Sequence, residues 1–270
     1  GGNLTLSELF HASSGPTSTG YWGTLPVLDL GPYANILDIS IADFGPFYVV
    51  CTFGRDAFAS PMRQIFVRDL GVSLGYGLLS FPPRTNPICG VCCNFNGQFV
   101  GANVEAVASS PWYGLTARSV LWSSIGNFEL DPAQSMEAGF LQTIGQWSAR
   151  QNVHVHKLLQ LGNQLVAYTD AGLVMLAPAS VGTTFTYGHQ RQTGIGVISG
   201  NHVAGDDYLH GFIDLSGDFW VLPAGGSATR RGYGEWLRPM LSFTSANNTR
   251  TIVSYAPREQ TFYISNGNEC

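Results

Sequence analysis

The chain has 270 residues, a formal net charge of -5 at pH 7, and only 11% charged against 44% hydrophobic residues. That balance, with a sequence pI of about 5.6, excludes the broad basic face that holds nucleic acid through its phosphates. Thirty-three glycines and 14 prolines suit a turn-rich β protein. Lys157 is the single lysine among 13 cationic side chains, a bias towards the residue that makes planar, forked contacts in interfaces. No run of about 18 apolar residues marks a spanning helix. The opening stretch "GGNLTLSELFHASSG" has no basic region leading into an apolar core, so the expectation is a soluble chain with no membrane span.

In chain order, residues 1–20 read as a loose arm and 21–270 as one domain. Helical patterning is confined to two short stretches, "LSELFHA" and "AQSMEAGFLQ", each beside glycine or proline. The rest reads as strands: "PFYVVCTF", "RQIFVRDL", "GVCCNF", "QFVGANV", "SVLWSSI", "VHVHKLLQL", "QLVAYTD", "LVMLAPA", "IGVISG", "YLHGFIDL", "DFWVLPA", "RTIVSYAP" and "QTFYISN". Hairpins with turns near Gly97, Gly172, Gly217 and Glu259, and an earlier pair around Pro61, recur at roughly 40 to 45 residues, the spacing of four strands per propeller blade. One small twisted sheet cannot bury both faces, whereas radial stacking buries each against the next. The predicted fold is an all-β propeller of about five four-stranded antiparallel blades, or six if residues 1–45 supply another.

The chemistry-bearing residues are few. "GVSLG", residues 71–75, has the G-x-S-x-G spacing of a nucleophile elbow, but the strand and helix that would expose Ser73 are not encoded around it. Cys89, Cys92 and Cys93 form a C-x-x-C-C cluster without a second ligand pair, and Cys51 and Cys270 stand apart. His154 and His156 alternate on an expected strand and so would share a face, a half-site for a metal. Asp206, Asp207 and Glu235 are the acids from which a glycosidase pair could be drawn, although "GDD" is also a turn former. Asn3 and Asn247–Thr249 match glycosylation triplets. No catalytic residue, metal site or cofactor is assigned, and the chain is read as non-enzymatic. The candidate contact patch is Arg230, Arg231, Tyr233, Trp236 and Arg238 in "TRRGYGEWLRP", where arginine and aromatics coincide.

Residues 93–177 also carry a family resemblance. "NFNGQFVGANV", "SVLWSSIGNFELDP", "AGF" and "LLQLGNQLVAYTDAGLVML" follow one another in a pattern that resembles tailed-phage virion proteins of the tail-nozzle (tubular) and DNA-stabilising tail accessory type. The matching positions are Trp122, Ser123, Gly126, Ala138, Gly139, Phe140, Leu161, Gly162 and Leu165. The resemblance implies a structural component of the virion, in the tail or neck and assembled in the host cytoplasm. It would form a homo-oligomeric ring with other tail or neck proteins, through which genome DNA passes past an acidic lining without sequence-specific binding. On the residues alone, Trp122 would fill a seam between blades and Gly126 would permit a turn. A carbohydrate-binding or carbohydrate-cleaving propeller and a cellular protein-interaction propeller are the alternatives.

Overall fold

The computed structural model describes residues 5–6, 9–12, 21–24, 28–29, 35–45, 47–55, 58, 60–69, 77–78, 87–105, 112, 114–126, 130–142, 144, 153–181, 184–240 and 251–265. Ser73, Cys270, Asn3 and Asn247–Thr249 lie outside them. Four short strands come first: β1 (Thr5–Leu6), β2 (Leu9–Ala12), β3 (Tyr21–Thr24) and β4 (Leu28–Asp29), with β1 paired to β4 and β2 to β3. Two of them fall within the segment expected as an arm.

Four four-stranded antiparallel sheets follow. Blade 1 is β5 (Asn35–Asp43), β6 (Phe47–Arg55), β7 (Pro61–Asp69) and β8 (Gly77–Leu78). Blade 2 is β9 (Cys89–Phe95), β10 (Gln98–Val104), β11 (Val120–Trp122) and β12 (Gly139–Leu141). Blade 3 is β13 (Val155–Leu161), β14 (Gln164–Thr169), β15 (Gly172–Val181) and β16 (Thr184–Thr193). Blade 4 is β17 (Val203–Gly205), β18 (Leu209–Ile213), β19 (Phe219–Pro223) and β20 (Thr229–Gly232). After α1 (Gly234–Met240), a fifth sheet holds β21 (Ile252–Ala256) and β22 (Thr261–Ser265). Within each of these five sheets every strand pairs with its sequence neighbour, and the first strands lie innermost: β9 touches both β5 and β13. The fold is an all-β propeller. As the sequence requires, β14 and β15 are adjacent and antiparallel, with Leu165 opposite Leu176 and Thr169 opposite Gly172.

Two elements differ from expectation. "LSELFHA" contains β2, and "AQSMEAGFLQ" forms turns that lead into β12. In each, tertiary strand pairing overrides a short helical pattern. The helix that does form, α1, is begun by backbone bonds from Trp236 and Leu237 to the Tyr233 carbonyl. It is seated by Leu237, buried among Ile213, Phe219, Val221 and Val253.

The core is a series of seams. One cluster joins blades 1 and 2 through Cys51, Ile65, Phe99 and Leu121. A second joins blades 2 and 3 through Phe95, Trp122, Leu165 and Tyr187. A third joins blades 3 and 4 through Tyr168, Leu173, Phe212 and Leu222, and a fourth carries blade 4 onto β21 and β22 through Phe219, Val253 and Phe262. Trp122 is 1% exposed and meets Tyr187 edge-on at 4.9 Å between ring centroids and Phe185 at 6.3 Å. On its other side the ring lies on Gly139, where a methyl group would stand 2.8 Å from a ring carbon.

Trp122→Ala should therefore cost about 3–5 kcal/mol, the range for truncating a fully packed aromatic, read from urea unfolding followed by circular dichroism. Gly139→Ala should destabilise through the same contact. A Trp122→Ala loss below about 1 kcal/mol would mean that the seam does not depend on this ring.

Candidate functional site

Chain direction sorts the loops into two ends. β17 runs to a turn at residues 206–208, β18 returns to a turn at 214–218, β19 runs to 224–228, and β20 returns to Tyr233 and α1. The starts of the inner strands, the 214–218 turn and α1 thus share one end, called here the α1 end. Asp206 and Asp207 lie at the other.

At the α1 end, Asp38 on β5 is 6% exposed and acts as a hub. Its Oδ1 accepts from the Gly200 N–H at 3.0 Å and the Ser199 hydroxyl at 3.4 Å, and its Oδ2 lies 3.8 Å from His156 Nδ1 on β13. One carboxylate thereby ties blade 1 to blade 3 and to the 3-10 turn at Gly200–His202 that leads into blade 4. Gly200 is required there: a Cβ would come within 2.6 Å of the His156 carbonyl and 2.7 Å of Asp38. Lys157 is next in sequence. Burial lowers its pKa, partly offset by the charge of Asp38.

His154 precedes β13 rather than lying in it, and the strand's register is irregular between Val155 and Lys157. The two imidazoles still lie 6.5 Å apart between ring centroids, as alternation implied. His154 also packs near Phe53, and its Nδ1 is buried with no hydrogen-bond partner. Burial, then the neighbouring His156, lowers its pKa, which favours a neutral ring. Among the described residues no group of three His, Cys, Asp or Glu side chains is arranged to hold a metal. The polar groups gathered here are Asp38, His156 and Lys157.

The candidate patch occupies the same end, at the rim of blade 4. It is built of a strand and a helix, not a plain loop: Arg230 and Arg231 lie on β20, and Trp236 and Arg238 on α1. Tyr233 forms the corner between them with φ +64°, a left-handed conformation that a non-glycine residue holds only when its surroundings impose it. Asp218, 6% exposed in its side chain, receives Arg230 at 2.6 Å and Arg238 at 3.7 Å, while Arg238 Nε donates to the Ser216 carbonyl at 2.7 Å. Asp214 braces the same turn, accepting from Ser216 and Asp218 backbone N–H groups and from Trp220 Nε1 at 2.8 Å. On this scaffold Trp236 is 79% and Tyr233 64% exposed. Composition located the patch; the anchoring acids Asp214 and Asp218 were missed, and their spacing within "DLSGD" was the available signal.

The acids proposed for sugar cleavage do not converge. Asp206 caps its own turn, accepting from the Tyr208 and Leu209 N–H groups, while Glu235 sits on α1 at the opposite end. β18 lies between these ends, and its five residues span about 17 Å. Cys89, Cys92 and Cys93 lie on β9, the first two buried. The positions that carry the family resemblance are structural: Trp122 and Gly139 form a seam, the Ser123 hydroxyl accepts from the Phe99 N–H, and Gly126 and Gly162 turn with φ of +69° and +61°.

No protein-family model and no curated protein sequence matches the chain. Among solved structures it is similar to YCF48 from Cyanidioschyzon merolae, with a TM-score of 0.37 and 11% identity over 86% of this chain and 66% of that one. It is similar also to the α-L-arabinofuranosidase PaAbf62A from Podospora anserina, with a TM-score of 0.36 and 12% identity over 77% and 70% of the two chains. Human WBSCR16 follows, with a TM-score of 0.34 and 11% identity over 90% and 78%. Likeness at this distance says nothing of activity.

Removing the hub should be costly. Asp38→Ala strands the buried Gly200 N–H and should lose about 1–3 kcal/mol, whereas Asp38→Asn keeps an acceptor and should lose less. Equal losses in denaturant unfolding would show that the hub is not held by acceptance. A second prediction concerns His210, buried in the seam of blades 3 and 4. Its Nε2 donates to the Gln160 carbonyl at 2.7 Å, so Nδ1 accepts from the Tyr168 hydroxyl at 2.8 Å. Burial pushes its pKa down to about 4 from 6.5. Between those values the unfolded chain binds a proton that the folded chain refuses, so stability falls as pH drops from 6.5 towards 4 and levels off below. The loss should be about 3 kcal/mol, and urea titrations should show it reduced by that amount in His210→Gln.

Proposed function

We propose that this propeller works by assembly rather than by catalysis, as a structural subunit of a phage tail or neck that repeats into a ring. The observation that carries the assembly reading is the braced patch at the α1 end. Two aromatic side chains stand in solvent on a rim where Arg230 and Arg238 are held by buried Asp218, so a partner would meet a partly ordered surface. Around the axis, by contrast, Asp38 is occupied by bonds between blades and is not presented to a substrate. The placement in a phage particle rests on the sequence resemblance.

If the chain surrounds a DNA conduit, that conduit runs between copies and not through the propeller. The contacts from Asp38 to blades 3 and 4 leave no room for a duplex at the propeller axis. A ring of copies needs heterologous contacts that close by rotation, and a rim patch on one blade suits that geometry. The net negative charge would let DNA pass without being held.

Mass photometry of the purified chain should show a discrete oligomer that Trp236→Ala and Tyr233→Ala shift towards monomer without lowering thermal stability. Purified particles should contain the chain by mass spectrometry. A monomer unaffected by either substitution would remove assembly through this patch, and absence from particles would remove the phage placement. Binding to a glycan array that Trp236→Ala abolishes would transfer the patch to the carbohydrate-binding reading.

A further inference from the structure

The seam between blades 1 and 2 contains an arrangement that the assembly reading does not use. Cys51 lies on β6 with Ser40 of β5 as its cross-strand partner, and Cys92 of β9 sits over that pair. The Ser40 hydroxyl accepts from the Cys92 N–H at 2.8 Å and reaches the Cys92 sulfur at 3.6 Å. The Cys51 thiol neighbours the same sulfur, close enough that each cysteine shifts the other's titration. When Cys92 is protonated, its thiol has the carbonyls of Ser40 and Val49 at 3.6 and 3.7 Å to donate to. The sulfur is thus provided for in both protonation states.

Cys89 and Cys93 lie on the same strand, and burial dominates their behaviour by pushing both thiols up. Burial pushes Cys92 up as well. The polar neighbours of its sulfur, Cys51 and Ser40 first among them, outweigh it and leave Cys92 below the ordinary thiol value, while burial, then Cys92, raises Cys51. An apolar seam has no structural need for a hydroxyl held on both the N–H and the sulfur of one cysteine, because a buried thiol packs as a small hydrophobe.

We propose that Cys92 is a peroxide-reactive cysteine and Cys51 its resolving partner, so that oxidation forms a disulfide that locks blade 1 to blade 2. The Cys92 thiolate attacks one oxygen of hydrogen peroxide: an S–O bond forms, the O–O bond breaks, and hydroxide leaves to become water. Cys51 then attacks the sulfur of the sulfenic acid. The S–S bond forms, the S–O bond breaks, and the departing hydroxide takes the Cys51 proton to give a second water. Two thiols lose two electrons and one peroxide gains them. Cys92 is 3% exposed, so access requires a reagent the size of peroxide and local opening of β5, the inner edge strand of its sheet, whose Ile39 and Ile41 already face solvent.

The full chain, treated with excess hydrogen peroxide, quenched and alkylated, is digested without reductant and each cysteine followed by mass spectrometry. In the wild type, Cys92 should be lost about tenfold faster than Cys89, and a Cys51–Cys92 linked peptide should appear. The oxidised protein should melt at a higher temperature, reversed by dithiothreitol. Cys51→Ser should stop at a Cys92 sulfenic acid captured by a cyclic diketone, and Cys92→Ser should leave Cys51 reduced. The wild-type rates decide the question even where a variant folds poorly. Cys92 reacting no faster than Cys89, or a linkage to any other cysteine, would overturn the assignment; an unchanged melting temperature with the linkage present would overturn the locking role.

Discussion

Asp38 is a carboxylate withdrawn from water in the middle of a β ring, a position that costs several kcal/mol unless its oxygens are bonded. Oδ1 is bonded by two donors from the connection into blade 4, and Oδ2 is close to His156 of blade 3. Because these partners come from separate blades, one side chain can be satisfied only when several sheets stand in their proper places. Hydrophobic seams are tolerant of small slides; a hydrogen-bonded hub is not. Asp38 thus links the position of blade 1 to that of blades 3 and 4, which are far from it in sequence.

The seams provide most of the buried surface and follow a simple rule. Rings meet rings across the gaps, as Trp122 meets Tyr187 and Tyr168 meets Phe212, and Trp122 lies on Gly139 within its own blade. The Tyr187 hydroxyl in turn donates to Gln98, whose amide donates to the Ser123 carbonyl, while the buried Trp122 Nε1 has no partner. Trp122 and Gly139 thus serve the stacking of blades, while Ser123 bonds the Phe99 backbone and Gly126 and Gly162 make turns.

Much of the fold was legible because period-two strands and glycine turns are local signals. Hairpins at Gly97, Gly172 and Gly217 lie where the spacing put them. Their phase was not legible. The β14–β15 and β18–β19 hairpins are the second and third strands of their blades, whereas β9–β10 and β21–β22 are the first and second, and nothing within a hairpin records its distance from the axis. Strand β5, "NILDISIAD", was overlooked because its buried positions are Asp38, Ser40 and Ala42 while Ile39 and Ile41 face out, an inversion of the usual apolar code. The site was hidden for the same reason. Asp38, Ser199 and Gly200 are ordinary residues until blades separated by more than a hundred positions meet.

That inversion also bears on function. β5 buries its polar residues because they serve other blades: Asp38 bonds the turn into blade 4, and Ser40 holds Cys92 of blade 2. Blade 1 is therefore fastened by directional bonds in addition to the apolar cluster it shares with blade 2, while blades 2 to 4 are joined to one another by ring and aliphatic packing. Directional bonds respond to charge and oxidation in a way that apolar contact does not. A propeller made this way has a stable body, an exposed rim patch braced by Asp214 and Asp218, and one chemically addressable seam. If the rim carries assembly, the state of the blade 1 seam can alter the stability of a subunit without touching the surface that neighbours recognise, because Cys51 and Cys92 lie within blades 1 and 2 and the patch lies on blade 4.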